Sequence, residues 1–177
     1  MKRVFLVPII LLMIFSVLSC ASKPETVQKD AQKESQEEDI SIAFKKVYNM
    51  YRSDIILDDA QTYTVVKGDF LAAITRKYYG NGNGYFFPLI MLASGEKILD
   101  PELLEPGMKL TIPDLDKNLG NPTTRKKIKS FLRDISDVYE QKTRAITDEE
   151  KETPRGKIRY NEDNRTRERL IELSNSL

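Results

Sequence analysis

The pattern of apolar and polar positions divides the chain into segments of different character. The first of these, residues 1–19, opens with Lys2 and Arg3 and continues as an almost unbroken apolar run from Val4 to Phe15. A helix that spans a bilayer needs about 20 apolar residues. A basic start followed by a shorter apolar run is instead typical of a secretory signal peptide.

Residues 20–39 contain almost no large apolar side chain, which predicts a flexible tether. The pattern changes within 40–61, where apolar residues recur at the spacing of one helix face and predict an amphipathic helix. That face either packs on the neighbouring domain, which is the interpretation we favour, or binds a partner. Its residues are Phe44, Val47, Tyr48, Tyr51 and Ile55.

Residues 62–114 carry the densest signals of secondary structure. β-Branched and aromatic residues near both ends, at 62–66 and 108–112, predict two short strands. Between them, apolar spacing predicts two helices, of which the first ends at Gly80 and the second near Gly95. Asp69 follows a Lys-Gly turn and is the expected N-cap of the first helix. The order strand, helix, helix, strand predicts an α+β fold.

Residues 115–142 predict a basic amphipathic helix, because 117–133 hold basic but no acidic side chains and apolar positions recur beyond Ile128. Asn121 and Pro122 form a plausible helix start. Such a helix either lies on anionic lipid or docks on the domain with a solvated charged face, which we favour. Residues 143–177 are dense in both charge signs and predict a charged linker and a short C-terminal helix.

The amino-acid composition excludes several classes of catalytic and metal-binding site. The 177 residues include 28 Lys and Arg, 27 Asp and Glu, one Cys and no His, for a net charge of +1. A nearly neutral chain argues against nucleic-acid binding. The absence of His excludes Ser-His and Cys-His nucleophile pairs and imidazole-based zinc sites. We therefore expect no metal, no cofactor and no catalysis. A glycosidase, which needs only two carboxylates, is a less favoured alternative.

The residues around the single cysteine, 17–21 (VLSCA), resemble the lipobox of bacterial lipoproteins. The resemblance implies that residues 1–19 are removed and that Cys20 is acylated and becomes the first residue of the mature protein. Such a protein would be held on a membrane of the cell envelope and would face the periplasm or the cell wall. The alternative is an ordinary signal peptide with an unrelated cysteine.

Both ends of 62–114 resemble a LysM domain. The first end is the run 63–69 (YTVVKGD), followed by Leu71, Ile74 and the run 77–80 (KYYG), and the far end is 98–113 (ILDPELLEPGMKLTIP). LysM domains have a two-stranded antiparallel sheet with two helices on one side. They bind glycans built from N-acetylglucosamine, most often peptidoglycan in bacteria. The resemblance implies the same fold and the same class of ligand here.

The family uses a shallow groove between the first strand–helix loop and the second helix–strand loop. An N-acetylhexosamine offers a methyl group, an apolar ring face and an amide, which suit aliphatic walls and backbone polar groups. Gly68 would let the backbone approach closely, and Leu71, Ile98 and Leu99 would supply the aliphatic walls. The family commonly has Thr at Phe70, so this ring either stacks on a sugar or obstructs the groove. The candidate glycan-binding residues are Gly68, Asp69, Phe70, Leu71, Ser94, Ile98, Leu99, Asp100 and Pro101.

These features together indicate a non-catalytic, lipid-anchored protein that binds peptidoglycan through 62–114 and a membrane through Cys20. It would thereby tether a membrane to the cell wall. In the alternative, the protein is a scaffold or assembly factor whose LysM unit positions the flanking helices for a protein partner. We expect no nucleic-acid partner.

Overall fold

The computed structural model describes residues 25–95, 98, 100–102 and 104–177. The predicted signal peptide over 1–19, the predicted lipidation site Cys20 and the predicted groove residue Leu99 lie outside these residues. None of the described helices is both long enough and apolar enough to cross a membrane.

The described residues form an α+β fold that is mostly helical, which confirms the predicted class. Strand β1 pairs with β2 in an antiparallel sheet, in which Thr62 lies opposite Thr111. Short 3₁₀ turns occupy Arg52–Asp54 and Asn81–Phe86. The other elements, in chain order, are α1 (Glu25–Tyr51), β1 (Gln61–Thr64), α2 (Leu71–Tyr79), α3 (Phe87–Ser94), β2 (Lys109–Ile112), α4 (Leu115–Gly120), α5 (Pro122–Ala145), α6 (Asp148–Glu152) and α7 (Pro154–Ser176).

The first helix differs from the prediction at both ends. We expected a flexible tether over 20–39 and a helix within 40–61, whereas α1 begins at Glu25 and ends at Tyr51. The tether prediction is therefore wrong from Glu25 onward. The segment forms a helix because it is rich in Glu, Gln, Lys and Ala, which are strong helix formers. In addition, extending an established helix is much easier than starting one.

The apolar face of α1 is buried against α3 and α5, as the docking interpretation expects. Phe44 and Tyr48 are each 1% exposed. The Phe44 ring meets the Tyr139 ring of α5 edge to face, with centroids 5.8 Å apart. The Tyr48 hydroxyl contacts Met91 Sδ of α3 at 3.4 Å. This face therefore belongs to the same core as the helices between the strands.

The predicted single helix over 115–142 is two helices, α4 and α5, separated at Asn121. Asn121 is the N-cap of α5, where its side-chain oxygen accepts hydrogen bonds from the Thr123 and Thr124 amides at 3.0 Å. The predicted apolar stripe of α5 is buried. Its residues are Ile128, Phe131, Leu132, Ile135, Val138 and Tyr139.

The prediction of a charged linker and a short helix over 143–177 is wrong. Thr147 and Glu150 form a capping box that starts α6, and Thr153 caps α7, with Pro154 in its first turn. Helix α7 is 23 residues long and packs along α5. The length of α7 was not predicted, because the helix has few apolar positions. In addition, we interpreted Thr153-Pro154 as part of a linker, whereas these two residues begin the helix.

A buried asparagine fixes the segment that leads into β1. Asn118 of α4 is fully buried, and its side-chain amide exchanges two hydrogen bonds of 2.9 Å with the backbone of Ile56. Because both backbone groups are paired by one side chain, the segment needs no strand partner at this point. Asn118 thereby joins the start of the sheet to the helices that follow it.

Candidate functional site

Two loops meet at one end of the sheet. The first loop, 65–70, follows β1, and the second loop, 95–108, precedes β2. The Val65 amide donates to the Met108 carbonyl at 2.9 Å, and the Gly107 amide donates to the Val65 carbonyl at 2.8 Å. These bonds continue the pairing of the strands beyond Thr64 and Lys109. The sheet therefore places part of both predicted groove loops side by side.

A tight turn shapes the first loop. The Asp69 amide donates to the Val66 carbonyl at 3.1 Å, and Gly68 between them has a φ of +95°. A positive φ at the third residue is what a type II turn requires, and glycine adopts it without steric cost. Nothing lies within 4 Å of the position that a Cβ at Gly68 would take. Backbone conformation alone thus explains this glycine.

Asp69 does not cap α2, so the predicted N-cap is wrong. The N-cap position belongs to Phe70, which makes no side-chain capping bond. One carboxylate oxygen of Asp69 instead accepts hydrogen bonds from the Val66 amide at 2.9 Å and the Tyr63 hydroxyl at 2.8 Å. The bond from Val66, followed by that from Tyr63, lowers the pKa of Asp69. The side chain therefore stabilises the turn.

The first loop exposes two large apolar side chains. Val66 and Phe70 are each 57% exposed, on either side of the Gly68 turn. The guanidinium of Arg76 lies over the Phe70 ring, 5.8 Å from its centroid. Leu71, by contrast, is 2% exposed and belongs to the core. The loop thus offers apolar surface through Phe70 and Val66, and Leu71 is not the aliphatic wall that we expected.

Two predicted groove residues of the second loop region are buried in the fold. The Ser94 hydroxyl donates to the Ile90 carbonyl at 2.7 Å and accepts from the Thr111 amide at 2.9 Å, which joins α3 to β2. Ile98 is fully buried in the core. The prediction that Ile98 forms an aliphatic wall is therefore wrong, because the core rather than the groove takes its side chain.

Asp100 and Glu102 of the second loop are fastened to helix α5. One oxygen of Asp100 accepts from the Glu102 amide at 2.9 Å. Its other oxygen lies 3.4 Å from Nζ of Lys142 on α5, and a Glu102 oxygen lies 3.2 Å from the same Nζ. Pro101, between them, is half-buried. Lys142 therefore holds the loop through two acidic side chains.

Lys142 was not among the sequence candidates, although a signal for it existed. It follows Ile135 and Tyr139 at helical spacing, so it lies on the apolar stripe of α5. Its side chain is 2% exposed, and Nζ also lies 3.5 Å from Asp163 of α7. Burial lowers the pKa of Lys142, but the charges of Asp100, Asp163 and Glu102 outweigh it, and the net pKa is raised.

Lys142, Asp100, Glu102 and Asp163 form a charged cluster. Asp163 is the most buried of its three carboxylates. Its side chain is 3% exposed, and one of its oxygens has no hydrogen-bond partner. Burial raises the pKa of Asp163 to about 6, although the Lys142 charge opposes the change. The Lys142 ammonium is shared by three carboxylates, so it does not fully offset the effect of burial on the most buried of them.

The charged cluster borders a cavity of about 780 Å³ between the second loop, α1, α5 and the first half of α7. Asp100 and Glu102 line it together with Lys142 and Arg159. Among the described residues, no group of His, Cys, Asp and Glu side chains has the arrangement of a metal site.

The chain was compared with known proteins. No family model matches it, and no solved structure does. A 63-residue segment, 36% of the chain, is 38% identical to Esterase MT1326 and Esterase Rv1288, both of Mycobacterium tuberculosis. The match spans 13% of the length of each of these relatives. The similarity thus concerns a small part of proteins that are named esterases.

Proposed function

We propose that this protein is a non-catalytic, lipid-anchored protein that binds peptidoglycan through a LysM-like unit at 62–114. The observation that carries the proposal is the exposed first loop. Val66 and Phe70 present apolar side chains around the Gly68 turn, beside the second loop at one end of the sheet. Sugar rings have apolar faces, and exposed backbone groups in the turn can pair with an N-acetyl group. The order of strands and helices agrees with the LysM resemblance.

A weak site is sufficient for such a protein if it is anchored. A millimolar dissociation constant corresponds to about −4 kcal/mol, and a tether can provide effective concentrations in the millimolar range. In the described fold the spacer is helical: the part of α1 that precedes its buried face, residues 25–39, is about 22 Å long. The helix would keep the loops at a set distance from a membrane that holds Cys20.

Catalysis has less support. The name of the two relatives suggests ester hydrolysis, but a Ser-His-acid triad needs His, which this sequence lacks. We therefore do not propose ester hydrolysis for this chain. A glycosidase needs two carboxylates that flank a bond of the substrate. Here Asp100, Glu102 and Asp163 converge on Lys142 instead, which holds them in ion pairs.

The scaffold alternative also has less support. It requires α1 and α5 to offer their faces to a protein partner, whereas their apolar stripes are buried in the core. Within 35–51, the part of α1 whose side chains are described, the large apolar side chains that remain exposed are Ile42 and Met50. Two separate side chains do not make a contiguous apolar patch of the size that marks an interface.

Co-sedimentation with purified peptidoglycan sacculi tests the proposal. Phe70→Ala removes exposed apolar surface that we expect to contribute about 1–2 kcal/mol, so retention should weaken about tenfold. Ile42→Ala is the matched control, because Ile42 is also 57% exposed but lies on α1. Its retention should equal that of the unchanged protein. Equal retention of both variants and the unchanged protein would contradict the role of the first loop.

The anchor is tested separately by Cys20→Ala. If Cys20 is acylated, the variant should leave the membrane fraction and lose label from radioactive palmitate. If the variant stays in the membrane without label, residues 4–18 hold the protein there as an uncleaved segment. Absence of label on the unchanged protein would refute lipidation without affecting glycan binding.

A further inference from the structure

We propose that the cavity beside the second loop binds a short peptide that carries both a free carboxylate and a free amine. The peptide that is joined to the sugars of the wall polymer has this chemistry. The inference deepens the proposed function and rests on it, because it assigns the glycan to the loops and the attached peptide to the cavity.

The position of the cavity supports this assignment. Asp100 and Glu102 belong to the second loop and also line the cavity. A peptide linked to a sugar at the loop would therefore enter it directly. Its volume of about 780 Å³ lies in the usual range of ligand pockets, about 300–1,000 Å³. That space is sufficient for several amino-acid residues.

The α7 wall of the cavity favours a carboxylate. Nε of Arg159 is buried there and has no hydrogen-bond partner. Within the described part of the chain, neither Arg159 nor its neighbour Arg155 forms an ion pair. A buried donor without an acceptor is unfavourable, and a guanidinium binds a carboxylate through two parallel hydrogen bonds. A ligand carboxylate would thus give Nε of Arg159 an acceptor that the described residues do not supply, although the Arg159 charge already acts on Asp163.

The opposite walls favour an amine. Asp100 and Glu102 face the cavity from the second loop and Glu37 faces it from α1. Glu102 keeps 62% of its side chain exposed, although it pairs with Lys142. These carboxylates would repel a ligand that is only anionic, such as a phosphate. A peptide with charges of both signs matches the two walls.

Aliphatic side chains complete the site. Ile40 of α1 and Ile158 of α7 line the cavity, and Ile158 is 59% exposed. They offer contact to the methyl and methylene groups of a bound peptide, whose burial is favourable. The cavity therefore combines charges of both signs, with Glu162 beside the two arginines of α7, and apolar surface, which is an arrangement that suits a short peptide.

Calorimetric titration of residues 21–177 with three probes tests the inference. The probes are chitotetraose, an N-acetylglucosamine–N-acetylmuramic acid disaccharide, and the same disaccharide with a tripeptide that has a free amine and a free carboxylate. We expect the peptide to strengthen disaccharide binding at least tenfold. Arg159→Gln should remove that gain and leave chitotetraose affinity unchanged. Arg169→Gln, an exposed arginine of the same helix that pairs with Glu172, should behave like the unchanged protein.

The outcomes separate the two proposals. If chitotetraose binds but the peptide adds no affinity, or if Arg159→Gln keeps the gain, the cavity inference is overturned and the proposed function stands. If chitotetraose and the disaccharide do not bind but the disaccharide with the tripeptide does so through Arg159, the proposal that 62–114 binds the glycan is overturned. Tight binding of inorganic phosphate in competition with the tripeptide would overturn the assignment to a peptide. Arg159→Lys keeps the charge without the planar fork, so it should lose part of the gain even if Arg159→Gln folds poorly.

Discussion

Replacing Asp163 by Asn should flatten the pH dependence of stability between pH 4 and pH 7. Asp163 is 2% exposed, and burial raises its pKa from 3.8 to about 6. The folded protein therefore holds this proton more tightly than the unfolded chain does. Its contribution to stability is fully present below about pH 3.8 and is lost as the pH rises through about 6. Asn has no proton to lose, so the variant avoids that loss.

The pKa change from 3.8 to about 6 corresponds to about 3 kcal/mol at pH 7. The free energy of unfolding of Asp163→Asn, relative to the unchanged protein, should rise by about this amount between pH 4 and pH 7. Urea denaturation at four pH values measures it. Glu162→Gln, an exposed neighbour on α7, should follow the unchanged protein. If the stability of Asp163→Asn had the same pH dependence as that of the unchanged protein, ionisation of Asp163 would not destabilise the fold. The reasoning would then be wrong.

Three further substitutions test other contacts. Ser94→Ala leaves the Thr111 amide of β2 without its acceptor. Urea denaturation should show a loss of about 1–3 kcal/mol in the free energy of unfolding. An unchanged midpoint would mean that the hydroxyl is dispensable. Gly68→Ala should lower the free energy of unfolding by about 1–2 kcal/mol, because alanine is strained at a positive φ. Gly82→Ala is the control, since Gly82 is equally open but has no positive φ, and it should not lower the free energy of unfolding in this way. Equal effects of the two substitutions would contradict the turn geometry. Asn118→Ala leaves the Ile56 amide and carbonyl without their partner. Thermal unfolding should show a loss of at least about 2 kcal/mol of stability. A smaller loss would show that water replaces the side-chain amide.

Local signals in the sequence were sufficient to predict the central unit and the main helix after it. The strands and the helix ends at Gly80 and Gly95 depend on neighbouring residues, and the structure places them within a few residues of the prediction. The same holds for α5, whose cap at Asn121 and apolar stripe are both local patterns. These features could be predicted because they need no knowledge of distant contacts.

The roles of several site residues could not be predicted, because they depend on contacts between distant parts of the chain. Ser94 serves the sheet through an amide 17 positions later. Asp100 meets Lys142, 42 positions later, and a lysine in an apolar stripe is normally expected to reach solvent. Asp69 bonds to Tyr63 and the turn, although its position suggested a helix cap. Only the folded chain shows which of the available partners each polar group selects.

The predictions for the two ends of the chain failed for a different reason. Helix α1 begins earlier and α7 is longer than expected, and both contain long polar stretches with few apolar residues. Apolar periodicity is the main signal for a helix, so a polar helix gives little of it. The capping box at Thr147 and Glu150 and the Thr153-Pro154 start were the local signals that could have found α6 and α7.

The most direct test of the central claim is an NMR titration of uniformly labelled residues 21–177 with chitotetraose. We predict that the amide shifts of 66–71 and 100–102 change with ligand concentration, and that those of α7 do not. Absence of any change up to several millimolar ligand, in a protein with a well-dispersed spectrum, would contradict glycan binding. Changes confined to other surfaces would contradict the assignment to these loops.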